Sequence, residues 1–203
     1  TITLDGTAYS TAGTQTYTAA AGQNIDITGA AATFTTTNDN IGFATSGVDL
    51  ANNGTTTINT GTGAGTVTFG AALETNGGDN DLLVVTSGTG DVTFTGAIGV
   101  TNELGGLSVN ASAGDGDIVF TSTIGNTSNA NGVVGITAIG NAATEDITFS
   151  STDYSFDGPT TITAAAGDNI DMSAAVEFTT VADSITFATG NIHLANGANL
   201  DID

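Results

Sequence analysis

The sequence predicts an all-β fold, a right-handed parallel β-solenoid (β-helix) made of short strands bounded by Gly and Asn residues. Three observations predict it: apolar and polar residues alternate in short runs, the runs recur at one spacing, and helix signals are nearly absent. Gly, Thr, Ala and Asn dominate the chain, whereas Lys and Arg are missing altogether. The right hand is expected from the general rule for parallel crossover connections.

The clearest strand runs each end on a phenylalanine. They lie at 66–69, 91–94, 117–120 and 146–149. Their phenylalanines are about 25 to 29 residues apart, and Phe43 continues the series upstream. A second set of runs lies between them, at 82–85, 107–109 and 134–136. We therefore expect coils of roughly 20 to 29 residues, each with two or three strands, which bury their apolar side only by stacking.

A longer repeat overlies the coils. Residues 1–58 (segment I) match residues 146–202 (segment II) at an offset of about 145, with one deletion near Ala31 and about half of the positions identical. The sequence therefore predicts one continuous solenoid over 1–203, in which 1–145 is a long repeat and 146–203 begins the next copy. Because 203 falls inside this second copy, we expect the array to continue.

Stacked coils bring equivalent residues of successive turns into register, about 4.8 Å apart. Identical side chains then form ladders, with Phe, Val and Ile inside and Thr and Asn on the surface. Like charges one strand apart repel each other, so we expect the surface ladders to be neutral. A β-sandwich of this size would not need its strands to recur at one coil length, which favours the solenoid.

The charge balance excludes several functions. The chain has 21 acidic residues and no Lys or Arg, so its formal net charge is −21, yet only 10% of its residues are charged. Nucleic-acid binding needs basic side chains at the phosphates, and attachment to anionic lipid needs a basic patch. We therefore expect no nucleic-acid partner. Since no apolar run approaches membrane-spanning length, we also expect no membrane insertion.

The segments 90–99 (GDVTFTGAIG) and 104–111 (LGGLSVNA) resemble the degenerate repeats of filamentous-haemagglutinin-like giant adhesins of bacteria. The resemblance extends over nearly the whole chain and includes no catalytic motif. It implies an elongated β-helix that is secreted to the cell surface and serves in adhesion or as a stalk or filament. We therefore expect a structural or adhesive segment that is not an enzyme. Its expected partners are further copies, joined end to end or side by side into filaments, and surface glycans.

Two short segments are similar to the calcium-binding nonapeptide of repeats-in-toxin proteins. Residues 77–82 read Gly-Gly-Asp-Asn-Asp-Leu, and residues 114–118 read Gly-Asp-Gly-Asp-Ile. In such motifs Gly forms the turn and Asp supplies the oxygen ligands that Ca²⁺ prefers. The candidate cofactor is therefore Ca²⁺, and its candidate ligands are Asp79, Asp81, Asp115 and Asp117. That motif needs consecutive copies and each segment here stands alone, so solvated turns are the alternative.

Two alternatives to a purely structural role remain: a calcium- or carbohydrate-binding solenoid module, and a polysaccharide-cleaving β-helix enzyme. Cleavage would need two carboxylates that face each other across a groove. Asp26 and Asp171 recur at equivalent positions of the two segments, which favours a structural role for both. His193 is the only histidine, it should point outward, and Asp49 takes its place in segment I. A lone histidine of this kind makes serine hydrolysis an unfavourable interpretation.

Overall fold

A computed structural model describes residues 1–51, 53–77, 81–126, 132–181 and 183–203. In these residues the chain is all-β and its strands pair in parallel, as predicted. No helix in this part of the chain is long and apolar enough to cross a membrane. In chain order the strands are β1 (Ile2–Leu4), β2 (Ala8–Ser10), β3 (Gln15–Tyr17), β4 (Ile25–Ile27), β5 (Thr33–Thr35), β6 (Ile41–Phe43), β7 (Val48–Leu50), β8 (Thr55–Asn59), β9 (Val67–Phe69), β10 (Leu73–Thr75), β11 (Leu82–Thr86), β12 (Val92–Phe94), β13 (Gly106–Val109), β14 (Ile118–Phe120), β15 (Thr137–Ile139), β16 (Ile147–Phe149), β17 (Asp153–Phe156), β18 (Thr160–Thr163), β19 (Asn169–Met172), β20 (Val176–Thr180), β21 (Ile185–Thr189), β22 (Asn191–Leu194) and β23 (Leu200–Ile202).

The chain winds past three faces in each turn and forms a parallel β-solenoid of about eight turns. Face A contains β1, β4, β7 and β10, then the bridged residues Ile98 and Ile124, then β17, β20 and β23. Face B contains β2, β5, β8, β11, β13, β15, β18 and β21, and face C contains β3, β6, β9, β12, β14, β16, β19 and β22.

The coil length agrees with the spacing of the strand runs. The shortest step between stacked strand partners runs from Ile170 to Ile192, and the longest runs from Val109 to Ile139. Loops at the corners absorb this variation, because a strand keeps its register with the coil below whatever the length of the connection.

The apolar core is a set of ladders of inward-facing residues. Most short strands bury their first and third residues and leave the second partly exposed, which is the period-2 pattern of a strand with one buried face. The predicted phenylalanine ladder is confirmed on face C, where neighbouring ring centroids are 5.0–5.3 Å apart and each ring is at most 1% exposed. Its members are Phe43, Phe69, Phe94, Phe120 and Phe149. Burial of each ring stabilises the fold by about 1.5–3 kcal/mol.

The predicted strand at 134–136 is wrong. The strand of that coil is β15, which pairs with β13 through Val109 and Ile139. Ile136 is 71% exposed. Gly135 lies so close to the Gly105 carbonyl that a Cβ there would be 2.0 Å from its oxygen. Residues 134–136 therefore form a tight corner that only glycine permits, although two apolar residues flank it.

Candidate metal centre and acidic ladders

The structure places the described calcium-ligand candidates at two different corners of the coil. Asp81 directly precedes β11 and lies where the chain enters face B, whereas Asp115 and Asp117 lie where it enters face C. Asp79 lies outside the described residues. In the described part of the chain, no group of three or more His, Cys, Asp or Glu side chains is arranged to hold a metal ion. Calcium binding by these four residues stays a prediction.

Asp81 links three successive coils. It is fully buried, and its Oδ1 accepts a hydrogen bond of 3.0 Å from the N–H of Gly54 in the preceding coil. Its backbone carbonyl accepts a second bond, of 2.8 Å, from the N–H of Gly105 in the following coil. The buried carboxylate needs a donor such as the Gly54 N–H, because burial of an unsolvated charge is costly. These contacts give Asp81 a structural use.

Asp91, Asp117 and Asp146 stack at the corner that enters face C, and we call them the corner ladder. The Oδ1 of each accepts a hydrogen bond from the backbone N–H of the residue above it. The donors are Asp117 at 3.2 Å, Asp146 at 3.0 Å and Asn169 at 2.7 Å. Lys and Arg side chains have no acceptor and cannot take this place. The corner therefore gives a physical reason for Asp that composition alone does not.

The pKa of the Asp117 carboxyl is raised in the corner ladder. Partial burial raises the pKa of its carboxyl above the ordinary 3.8, the N–H of Asp146 lowers it, and the charges of Asp91, Asp146 and Asp168 raise it further. The folded chain therefore disfavours the ionised form of Asp117 relative to the unfolded chain.

Two more stacks of acids lie on face A, and they contradict the expected neutral surface ladders. The lower acidic ladder is Asp26, Asp49 and Glu74, and the upper acidic ladder is Asp153, Glu177 and Asp201. Their members are direct strand partners, so like charges do lie one strand apart.

Hydrogen bonds offset part of the repulsion in the lower acidic ladder. Asp49 Oδ2 accepts a bond of 2.7 Å from Asn24 Nδ2. Glu74 Oε2 accepts bonds from the backbone N–H groups of Thr101 and Asn102, at 3.1 and 2.8 Å. Bonds from amides to a carboxylate are stronger than bonds between neutral groups, which helps these acids to stay stacked.

Two carboxyl groups of the lower acidic ladder have a raised pKa. Burial raises the pKa of Asp26 above the ordinary 3.8, and the charge of Asp49 raises it further. Burial also raises the pKa of Glu74 above the ordinary 4.5; the N–H groups bonded to it lower it, and Asp49 raises it. The negative charge of Asp49 therefore repels both Asp26 and Glu74.

Sequence reasoning missed the lower acidic ladder, although a signal was present. The triplets 25–27 (IDI), 48–50 (VDL) and 73–75 (LET) each place an acid after an apolar residue, one coil length apart. Such triplets at coil spacing predict an outward acid ladder once the register is known.

His193 points outward as predicted and pairs with Asp171 of the coil below. Its side chain is 64% exposed, and its Nδ1 lies 2.5 Å from Asp171 Oδ1. The two residues are strand partners on β22 and β19. This contact is the segment II counterpart of the one between Asp26 and Asp49, because Asp171 answers Asp26 and His193 answers Asp49. An acid–acid contact in segment I is therefore an acid–histidine contact in segment II.

Two open grooves lie on the described surface. The larger, of about 530 Å³, follows the corner between faces B and C and is lined by small neutral residues, by Asn59 and Asn141, and by the acid Asp115. The smaller, of about 290 Å³, follows the upper acidic ladder. The described residues that line these two grooves include no aromatic side chain.

No protein-family model, no curated protein and no solved structure matches this chain. The polar features of the described residues include carboxylates that accept hydrogen bonds between coils, one exposed histidine pair and two open grooves. Function has to be inferred from these features and from the repeat.

Proposed function

We propose that this chain is a structural or adhesive repeat segment of a secreted, elongated fibre at the cell surface, and that it is not an enzyme. The observation that carries the proposal is uniform stacking: one strand register and one phenylalanine ladder continue from coil to coil. A stalk or adhesive filament needs such a rod, because stacked coils keep their spacing and repeat one surface along their length. The resemblance of 90–99 and 104–111 to giant bacterial adhesins supports the same role.

The chain associates end to end with further copies. At the last coil, inward-facing apolar side chains are exposed: Ile192 by 46%, Leu194 by 42% and Ile202 by 52%. At the first coil, Ile2 and Tyr9 are only partly buried. Open strand edges with apolar side chains favour pairing with another chain. Side-by-side association meets the acidic surface and needs salt or cations to screen it.

Sedimentation velocity over a wide concentration range, with electron microscopy of the same samples, tests this function. Eight coils make a rod of about 40 Å. We expect rods whose lengths rise in steps of about 40 Å as the concentration increases. The variant Ile202→Asp should stop the growth, and Thr186→Asn, on an outward position of the same coil, should not. Compact particles of constant mass at all concentrations would contradict the proposal.

A calcium- or carbohydrate-binding module is the second candidate function. The stacked carboxylates of face A attract cations by their charge, although no three of these described side chains are arranged to hold one ion, and the groove beside Asn59 and Asn141 offers amide groups to a sugar chain. Thermal melting with Ca²⁺ and then with a chelator tests the first, and NMR titration with neutral oligosaccharides tests the second. A melting temperature unchanged by chelation and an unchanged spectrum would remove this candidate.

A further inference from the structure

The long sequence repeat and the coil are out of step by one face. Segment I begins on face A with β1, whereas its counterpart in segment II, β16, lies on face C. Tyr9 on face B answers Tyr154 on face A, and Phe43 on face C answers Phe187 on face B. Each described strand of segment II is therefore turned by one face from its segment I counterpart.

The number of strand positions in one repeat explains why segment II is rotated by one face. Fifteen strands precede β16 in the described residues, and two further positions on face A are held by bridged residues, one by Ile98 together with Leu104 and the next by Ile124 together with Val133. Three positions complete one turn, so the repeat spans five turns and two further faces. At about 4.8 Å per coil, counterparts lie about 27 Å apart along the axis and a third of a turn apart around it.

The last coil repeats an edge that is covered elsewhere in the same chain. Strands β21, β22 and β23 are the counterparts of β6, β7 and β8, and in segment I these three are covered by β9, β10 and β11. Under that cover Phe43, Leu50 and Ile58 are fully buried. The counterparts of Leu50 and Ile58, which are Leu194 and Ile202, are 42% and 52% exposed.

We propose that the edge formed by β21, β22 and β23 is a docking surface for a coil with the sequence 60–86, supplied by the part 60–145 of a further repeat joined in tandem, because in an intact copy that coil is already paired on both sides. Copies joined in this way wind into one solenoid, and each copy is turned by one face from the last. A surface feature of the repeat then points to three sides in succession and returns to its first face after seventeen turns, about 82 Å. This inference rests on the proposed fibre function and adds how the fibre presents its surface.

The polar pairing along the edge supports this occupant. In the existing chain Glu74 lies directly above Asp49. In the docked coil the same glutamate would lie directly above His193, because His193 is the counterpart of Asp49. The only histidine of the chain thus stands where the incoming acid arrives. Asp171 lies below it, so an acid–histidine–acid stack replaces the three stacked acids of segment I.

The outward position on face B is compatible as well. Thr68 lies above Gly42 in the existing chain, and the counterpart of Gly42 is Thr186. The docked coil therefore places threonine above threonine, a favourable cross-strand pair. Inside, the ring of Phe69 would stack on Phe187 as it stacks on Phe43, at 5.1 Å.

The test extends the full chain by a second copy of residues 60–145, attached after Asp203. Hydrogen exchange of the backbone amides in β21, β22 and β23 is measured in the chain with and without the extension. We expect these amides to exchange at least about tenfold more slowly in the extended chain, because an outer strand becomes an inner one. Unchanged exchange of these amides in the extended chain overturns the proposal.

Three variants make the test specific. Phe69→Asp in the appended copy alone should abolish the slowing, since that side chain enters the core. His193→Asp should reduce the slowing by up to about fivefold, whereas His193→Gln should reduce it less, because only Asp adds a third stacked acid. Equal effects of Asp and Gln would overturn the charge argument. If the extension fails to dock while the original chain still forms rods, the fibre function stands and only the docking proposal falls.

Discussion

Segments I and II have the same sequence pattern but different positions in the solenoid. Counterparts such as Ile25 and Ile170 both point into the core, one from face A and the other from face C. The core can accommodate a given strand on either face, because each face requires only a strand with alternating apolar residues and a corner that leads to the next strand. This sequence therefore encodes strands and corners, and the face on which a strand lies depends on how many strand positions precede it.

The two segments differ in electrostatics as well. The outward pair is Asp26 with Asp49 in segment I and Asp171 with His193 in segment II. In the first pair burial and then the charge of Asp49 raise the pKa of Asp26, and the second pair is joined by a hydrogen bond. Because the backbone register is the same in both, the substitution of one residue changes a repulsive contact into an attractive one.

A disulfide test can break the comparison outright. The chain has no cysteine, so the double variant Val119→Cys and Thr148→Cys introduces a single pair. These residues are strand partners on face C, about 4.8 Å apart, which is within the range that a disulfide spans. We expect nearly complete cross-linking on mild oxidation, measured by mass spectrometry after thiol alkylation.

The control pair is Thr123→Cys with Thr148→Cys. Thr123 lies beside Ile124 on face A, where Thr148 would lie if segment II began on the same face as segment I. We expect no cross-link in this pair. Cross-linking of the control in place of the first pair would mean that the segments share a face and that the turn between repeats is absent.

The largest expected difference in stability lies between two counterpart phenylalanines. Phe43 is fully buried between Tyr17 and Phe69, whereas Phe187 in the last coil is only partly buried. We expect Phe43→Ala to lower the free energy of unfolding by about 3–5 kcal/mol and Phe187→Ala by less than half of that. Urea unfolding at low protein concentration measures both. Equal losses would show that the edge at Phe187 is covered in solution.

The sequence predicts the parts of the fold that depend on local pattern. The phenylalanine ladder and the coil length follow from alternation and spacing, and both agree with the structure. The rotation of segment II by one face could not be predicted. The coils differ too much in length, as the steps from Ile170 to Ile192 and from Val109 to Ile139 show, so the sequence leaves open whether the long repeat makes six complete coils or fewer. The acidic ladders could not be predicted without the strand register, because the loops at the corners differ in length. A strand was wrongly predicted at residues 134–136 because two apolar residues flank a glycine there, and this glycine forms a corner.

We expect Asp26 and Glu74 of the lower acidic ladder, together with Asp117 of the corner ladder, to make the chain more stable in mild acid than at neutral pH. Asp26, Glu74 and Asp117 all have a raised pKa in the fold, with burial as the first cause. A raised pKa means that the folded chain holds the proton more tightly, so this stability is present below the ordinary pKa and is lost as the pH rises through the folded pKa. We expect the melting temperature to be about 2–4 °C higher near pH 4 than near pH 7.

Calorimetry of paired variants sharpens this prediction. The double variant Asp26→Asn and Glu74→Gln should lose much of the pH dependence, and Thr186→Asn, which changes no ionisable group, should keep it. Salt near 1 M, where charges are screened beyond about 3 Å, should remove the repulsion between acids but leave the part due to burial. A melting temperature that falls steadily from pH 7 to pH 4 in the unaltered chain would contradict the assigned direction.

The smallest expected effect comes from transferring the segment II pair into segment I. Asp49→His places a histidine above Asp26, as His193 stands above Asp171, and it also removes one of the three acids from the lower acidic ladder. The change forfeits the bond from Asn24 to Asp49, so the net gain in stability should be below about 1 kcal/mol. The pKa of Asp26, followed by NMR, should fall. A double-mutant cycle with Asp26→Asn separates the new contact from the lost bond, and a coupling energy of zero would mean that register alone does not bring the pair together.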